Sequence, residues 1–305
     1  MGDWTLRILE TPQEMQAVEQ LQRLVWPGSE TDIVPAHLLL AATHNGGLVI
    51  GAYDGSFQGD PGEKQLAGFV FGFPGLYDTP DGPRLKHCSH MLGVHPEQRG
   101  RGLGFALKRA QWQMVRYQGV DRITWTYDPL LSRNAYLNIA RLGAVCNTYR
   151  CDEYGTMRDA LNRGLPSDRF QVDWWVNTQR VERRLGKGAR IKLDLAHFMA
   201  AGAQVINPTH LNASGLPHLD ESRYQAWLDD PTAKGEEQPL LLVEIPSDYQ
   251  ELKKGDLELA KDWRLQTRLL FEALFERGYL VTDFIHLPGA SSRSYYVMSF
   301  GESTL

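Results

Sequence analysis

Three cysteines, Cys88, Cys146 and Cys151, are all that the 305 residues contain, too few and too scattered for a disulfide framework. No apolar run approaches the roughly 18–20 residues that a bilayer crossing needs. The opening MGDWTLRILE carries acidic residues and no apolar core, so no secretory signal is expected there. Basic excess is missing too: the formal net charge is −5, whereas nucleic-acid binders carry a strong positive surplus. There is no exact internal repeat and no low-complexity segment. What remains, 42% hydrophobic and 23% charged residues, is globular composition. The expectation is a reduced, cytoplasmic protein with neither nucleic acid nor membrane as partner.

The patterning of the first half is mixed α/β. Strands are expected at Trp4–Leu9, Leu48–Tyr53, Leu66–Phe73, Leu85–Val94, Arg122–Tyr127, Ala144–Tyr149 and Phe170–Val176. Thr11 followed by Glu14 is a capping-box spacing, and Met15, Val18, Leu21, Leu24 and Val25 recur at helical intervals behind it. Pro35 opens a second short helix that Asn45-Gly46-Gly47 closes. Further helices are expected from Leu103 to about Tyr117 and over Ser132–Leu142. A turn is expected over Asp54–Glu63 and an insert around Cys151–Ser167. In the second half, short strands at Ala203–Ile206 and Leu240–Ile245 bracket a loop-rich stretch of about 207–239. A long helix follows, from about Asp248 or Leu257 to Arg277, with an apolar stripe of Trp263, Thr267, Leu270, Phe271, Leu274 and Phe275. Two strands, Tyr279–Leu287 and Arg293–Phe300, end the pattern.

One stretch carries chemistry: Met91-Leu92-Gly93-Val94-His95-Pro96-Glu97-Gln98-Arg99-Gly100-Arg101-Gly102-Leu103-Gly104. A strand runs into a glycine-rich turn that opens a helix. Such a turn presents several backbone N–H groups at the positive end of the helix, and glycine removes the side chains that would hold an anion away. Arg99, Arg101, Lys108 and Arg109 add charge. This is a pyrophosphate cradle. It is not a P-loop, because no Gly-Lys-Ser/Thr follows, and its glycines depart from the dinucleotide fingerprint. A nucleotide-binding protein of another fold and a plain glycine turn with solvated arginines are the readings it competes with.

The stretch resembles the acyl-CoA motif of the GNAT superfamily of N-acyltransferases, Arg/Gln-x-x-Gly-x-Gly/Ala after a strand ending Val-x-Pro. Arg99, Gly102 and Gly104 match it, with Val94-His95-Pro96 upstream, and the order of elements over about Trp4–Val176 agrees. The resemblance implies a mixed central sheet with splayed fourth and fifth strands, flanked by helices, in residues 1–178. A smaller C-terminal α/β domain would occupy 179–305 and could wall the acceptor cleft. It implies acetyl-CoA or CoA as co-substrate, and no metal. Pantetheine would meet the backbone of Leu92, Gly93 and Val94, with Gly93 at a strand bulge. Pyrophosphate would meet the N–H groups of Arg99, Gly100, Arg101, Gly102, Leu103 and Gly104. The family's Asn-x-x-Ala…Tyr…Lys-Leu-Gly run is matched by Ala135 and by Arg141-Leu142-Gly143. Its asparagine position is Ser132, with Asn134 two residues on as the cofactor-binding candidate. Its tyrosine, the usual acid for the departing thiolate, is replaced by Ile139.

The implied reaction moves an acetyl group from acetyl-CoA to an amine, on a small molecule or a protein, a small-molecule amine being the expected partner. The alternative is a non-catalytic acyl-CoA-binding or sensing protein. An alkylamine is about 0.1% neutral at pH 7, so a base or desolvation is required. Strand alternation places His90, Leu92 and Val94 on one face and His87 on the other, making His90 the candidate base. Tyr136 is the candidate acid, beside Tyr127 and Tyr149. His87-Cys88-x-His90 is poorly spaced for tetrahedral zinc. Arg264 and Arg268, four apart, read as an ion-paired or solvated face or as a grip for an acidic substrate. In the pair Trp174-Trp175 one ring faces a core and one faces outward.

Overall fold

The computed structural model describes residues 4–28, 30–54, 65–155, 164–186, 193–229, 239–289 and 291–301. The expected turn over 55–63 and the middle of the expected insert, 156–163, lie outside them. Packing divides the described chain into two compact units, one within 4–125 plus 175–177, the other within 126–155, 164–174 and 178–301. No helix among the described residues is long and apolar enough to cross a membrane.

In the first unit five strands lie side by side in chain order: β1 (Trp4–Ile8), β2 (Leu48–Asp54), β3 (Gly68–Tyr77), β4 (Arg84–Val94) and the start of β5 (Arg122–Tyr127). The first three pairings are antiparallel; β4 and β5 are parallel. Parallel neighbours need a crossover, and α3 (Leu103–Tyr117) supplies it. α1 (Pro12–Val25) begins at the expected box: Thr11 Oγ1 accepts from the Glu14 backbone N–H while the Glu14 carboxylate accepts from that of Thr11. With α2 (Ala36–His44) it packs Met15, Val18, Leu21 and Leu39 against Phe69, Phe71 and Met91 on one face of the sheet. α3 packs Leu103 and Leu107 against Ile50, Val70, Leu92 and Val94 on the other. Residues 175–177 belong here through Trp112 Nε1, which donates to the Val176 carbonyl at 2.8 Å, and through the Arg116–Asn177 hydrogen bond.

The second unit holds α4 (Ser132–Ala135, running on as a π-helical turn, Tyr136–Arg141), β6 (Val145–Arg150) and most of β7 (Arg169–Trp175). After α5 (Gln179–Leu185), α6 (Leu195–Ala200) and β8 (Gln204–Val205) comes a small hairpin of β9 (Thr209–Leu211) and β10 (Pro217–Leu219). Then follow α7 (Glu221–Asp229), β11 (Leu241–Ile245), α8 (Tyr249–Gly255), α9 (Leu257–Glu276), β12 (Tyr279–Leu287) and β13 (Arg293–Phe300). The sheet order is β7-β6-β12-β13-β11-β8, with β11 and β8 parallel. One expectation changes: the stretch 207–239, read as loop-rich, contains β9, β10 and α7. Of the two expected starts of the long helix the structure has Leu257, because the chain is extended at Asp256, whose side chain then caps α9 and separates it from α8.

β6 pairs with β12, and the core is a cluster of rings in which Phe170 meets Phe271 at 4.7 Å and Tyr296 at 5.4 Å. Arg264 and Arg268 are ion-paired: Arg264 grips Asp128 through two bonds of 2.8 and 2.5 Å, and Arg268 grips Asp168 at 2.8 and 2.6 Å. Arg264 and Asp128 are both buried. Arg184 ties α5 to the carbonyls of Ile139 and Ala140 in the π turn, and to Asp283 on β12 at 3.0 Å. Trp174 is fully buried, its indole donating to the Leu142 carbonyl, whereas Trp175 is half-buried.

Removing one partner of a buried ion pair leaves the other charge without compensation, at about 3–5 kcal/mol. Arg264→Met is therefore expected to lower unfolding stability by about that much in denaturant titration; a loss under about 1 kcal/mol would contradict it. A chain ending at Asn177 loses β12, Arg264 and Arg268 together. It is expected to be insoluble or to lack a cooperative melt by circular dichroism.

Candidate functional site in the first unit

The glycine turn is built as its sequence suggests. After β4, His95 caps a short 3₁₀ turn, Pro96–Gln98, its Nδ1 accepting from the Glu97 N–H. Gly100 and Gly102 follow with φ of +82° and +86°, the left-handed region where a side chain is strained. Gly102 is the N-cap of α3 and offers no side-chain cap, so the first-turn N–H groups of Leu103 and Gly104 have no intrahelical acceptor. Arg99 and Arg101 are exposed beside the turn; Arg101 bonds to Gln98 and lies 4.9 Å from the centre of the Trp4 ring. A positive helix end, open N–H groups and two guanidinium groups can hold a diphosphate. Lys108, expected to add charge here, does not: it is buried under β4.

β4 and β5 pair at His87–Ile123 and Cys88–Thr124. From Ser89 to Val94, β4 has no partner on β5 up to Trp125, which leaves a wedge-shaped opening with the glycine turn at its wide end. The bulge lies elsewhere than expected. Phe71 pairs with Met91 and Gly72 with Ser89, so His90 is the extra residue, and Gly93 pairs regularly with Phe69. A glycine is needed at 93 because a Cβ there would stand 2.6 Å from the Phe69 ring. The bulge also breaks the period of two. Leu92 and Val94 face α3, while His90 faces the α2 side with its ring 6.0 and 5.8 Å from those of Phe71 and Phe73.

On the α2 side His90 lines a groove of about 600 Å³ with Val34, Leu38, Ala42, Phe71 and Phe73. The ring edge reaches solvent, but its apolar neighbours desolvate it and lower its pKa. Desolvation thus favours the neutral imidazole over the charged form.

On the α3 side lies a buried polar cluster that sequence reading missed. Lys108 Nζ donates to Ser89 Oγ and to Gln111 Oε1, both at 2.9 Å, and stands 3.6 Å from the centre of the Trp125 ring. Gln111 Nε2 lies 3.2 Å from His87 Nε2, and the His87 ring fills the space that a side chain at Gly72 would need. Burial, with Lys108 adding to it, pushes the His87 pKa down to about 3. Desolvation likewise holds Lys108 well below the lysine range.

The other sequence candidates stand in the second unit. Asn134 and Tyr136 are half-buried on α4. Ile139 is fully buried in that unit and offers no proton. Tyr127 and Tyr149 are structural: the Tyr127 hydroxyl meets that of Tyr296, the Tyr149 hydroxyl donates to Asp168, and desolvation raises both pKa values well above the usual range. Cys146 is buried, and Cys151 donates to Glu272. Among the described residues no group of three or more His, Cys, Asp or Glu side chains is placed to hold a metal.

Comparison with known proteins gives structural likeness alone. No protein-family model matches the chain, and no curated protein does. The chain is similar to solved GNAT acetyltransferases. One belongs to the GNAT family in Desulfovibrio desulfuricans, at 16% identity and TM-score 0.41 over 57% of this chain and 99% of that one. Another is Arabidopsis thaliana NAA60 in complex with acetyl-CoA, at 18% and 0.43 over 56% and 99%. A third is aminoglycoside 6′-acetyltransferase type Ii, at 17% and 0.42 over 57% and 99%.

Gly104 lies in the first helical turn, where valine is as good a helix former as glycine but fills the anion's approach. Gly104→Val is expected to keep the melting temperature and to weaken CoA binding at least about tenfold by calorimetry, or 1.4 kcal/mol. His87 predicts a pH dependence. Its folded pKa of about 3 lies below the ordinary 6.5, so on acidification the unfolded chain takes up a proton that the folded one refuses. Stability is expected to fall below pH 6.5 by up to roughly 1.4 kcal/mol per unit, and His87→Gln to flatten that slope in denaturant titrations.

Proposed function

We propose that the protein is an N-acyltransferase that moves an acetyl group from acetyl-CoA to an amine. The observation that carries this reading is the wedge between β4 and β5, with an anion cradle at its wide end. A diphosphate held at Gly100–Gly104 leaves a pantetheine arm free to run down β4, replacing the backbone partners that β5 stops providing after Thr124. The residues proposed to meet the cofactor are Leu92, Gly93, Val94 and Arg99 through Gly104. Asn134 and Tyr136 remain candidates on α4.

The chemistry needs a neutral amine at the thioester carbonyl. His90, on the bulge and with its neutral form favoured by burial, is proposed to take the ammonium proton. The amine then forms the C–N bond as the C–S bond breaks, and the second proton that leaves the nitrogen passes to the departing thiolate, so that CoA is released as thiol. The groove beside His90 is apolar, which supports a small-molecule amine with an aliphatic or aromatic body as acceptor. In this reading residues 1–178 hold the donor and residues 179–305 influence acceptor choice. These are functional halves; packing divides the chain elsewhere because β6 shares a sheet with β12. Ile139, buried where the family's acid stands, favours a second reading, an acyl-CoA-binding protein without turnover.

A panel of primary amines incubated with acetyl-CoA, read by free thiol release and product mass, separates the two. Aralkyl and alkyl amines are expected to be acetylated in preference to polyamines. His90→Ala is expected to lower kcat/KM about a hundredfold at pH 7 and less above pH 9, where amines deprotonate unaided. Acetyl-CoA binding without turnover of any amine would favour the second reading.

A further inference from the structure

The groove beside His90 has two walls. One is the sheet, with Phe71, Phe73 and His90; the other carries Val34 and Leu38. A long antiparallel ladder between β3 and β4 holds the first wall. The second wall has no ladder. Val34 lies in irregular chain two residues before α2, and α2 itself has 9 residues, fewer than a helix needs to stand by itself. Pro35 at its N-cap offers no side-chain hydrogen bond.

Two side chains of α1 supply what this wall lacks. Gln22 is fully buried and pairs with both backbone groups of Val34. Its Nε2 donates to the Val34 carbonyl at 3.0 Å, and its Oε1 accepts from the Val34 N–H at 2.8 Å. One amide, with donor and acceptor side by side, thus makes the pairing that a neighbouring strand would offer. Glu19 lies three residues earlier, on the same face of α1. Its carboxylate accepts from the Ala36 N–H at 2.9 Å and so caps α2 where Pro35 cannot. Links between helices ordinarily leave their backbone to water. Here the residue tied at both its N–H and its carbonyl is Val34, which lines the groove. With both groups held, the direction of the Val34 side chain is set before any acceptor arrives.

We propose that Gln22 is a positioning residue for the acceptor amine: by holding Val34 it keeps the groove preformed, and the groove selects acceptors by the fit of their apolar body. The proposal rests on the acyltransferase reading, with the groove as acceptor site. Gln22 is buried and acts through Val34, so it touches no substrate. A preformed wall removes the cost of ordering the site when the acceptor binds. A loosened wall raises KM for the acceptor and discriminates less between acceptors. The glycine turn that holds the donor is not part of this wall, so KM for acetyl-CoA stays as it is.

The experiment measures acetylation of 2-phenylethylamine and of the bulkier 2-(1-naphthyl)ethylamine by the wild type, Gln22→Met, Gln22→Glu and Val115→Ala. Methionine matches glutamine in length and makes neither bond. It is expected to raise KM for 2-phenylethylamine at least about tenfold, with kcat and KM for acetyl-CoA within about threefold, and to narrow the preference between the two amines. Glutamate keeps an acceptor for the Val34 N–H, and its expected rise is smaller, about threefold. Val115→Ala truncates a fully buried residue of α3, on the other face of the sheet. It is expected to lower the melting temperature without moving the acceptor KM. An unchanged acceptor KM in Gln22→Met, an equal rise in Val115→Ala, or an equal rise in KM for acetyl-CoA would overturn the proposal. Should Gln22→Met fail to fold, a wild-type acceptor KM in Gln22→Glu overturns it. Turnover of polyamines but of neither probe would overturn the groove as acceptor site, and the proposal with it. No turnover of any amine would remove the acyltransferase reading itself.

Discussion

Two residue pairs hold β4 to β5, and the functional reading depends on where that pairing stops. A parallel pair joined by a helical crossover would ordinarily run on for the length of the shorter strand. Here three features oppose it just past Cys88. The extra residue at His90 bends β4, as bulges do. Lys108 and Gln111 reach from α3 to Ser89, so the inner face of β4 is held by hydrogen bonds to the helix. The Trp125 ring covers the lysine. Every one of these polar groups is satisfied, and a satisfied buried network fixes a single arrangement where apolar contacts would tolerate several. Glycines serve the same geometry on β3 and β4, where Gly72 admits the His87 ring and Gly93 admits that of Phe69.

The second unit solves a different problem. Its helix α9 carries two arginines on or beside the face that packs inward, and each is matched by an aspartate from a segment that precedes α5: Asp128 before α4 and Asp168 before β7. Charge pairing therefore joins the last third of the chain to segments that the sequence pattern assigns to the first domain. The ring cluster around Phe170 crosses the same divide, with Phe271 and Phe275 from α9 and Tyr296 from β13. Arg184 adds a third tie, between the end of α4 and β12.

Local signals were legible and non-local ones were not. The capping box at Thr11, the glycine turn and the succession of strands and helices along the first unit all follow from residues a few positions apart. The bulge at His90 has no such signature: alternation was extended through it, and that put His90 on the face of Leu92 and Val94. Lys108 did leave a trace. It lies on the buried stripe of α3 with Leu103, Leu107, Gln111 and Val115, where a charged residue departs from the pattern. Read with its neighbours in the glycine turn, it counts as one more charge beside the cradle. The Asp–Arg pairs span 136 and 100 residues, a separation that no spacing rule reaches.

The most direct test of the account is hydrogen–deuterium exchange with and without saturating acetyl-CoA. The account predicts protection of backbone amides in two places, the unpaired run of β4 from Ser89 to Val94 and the turn from Arg99 through Gly104. No protection in either segment, or protection confined to the second unit, would contradict it.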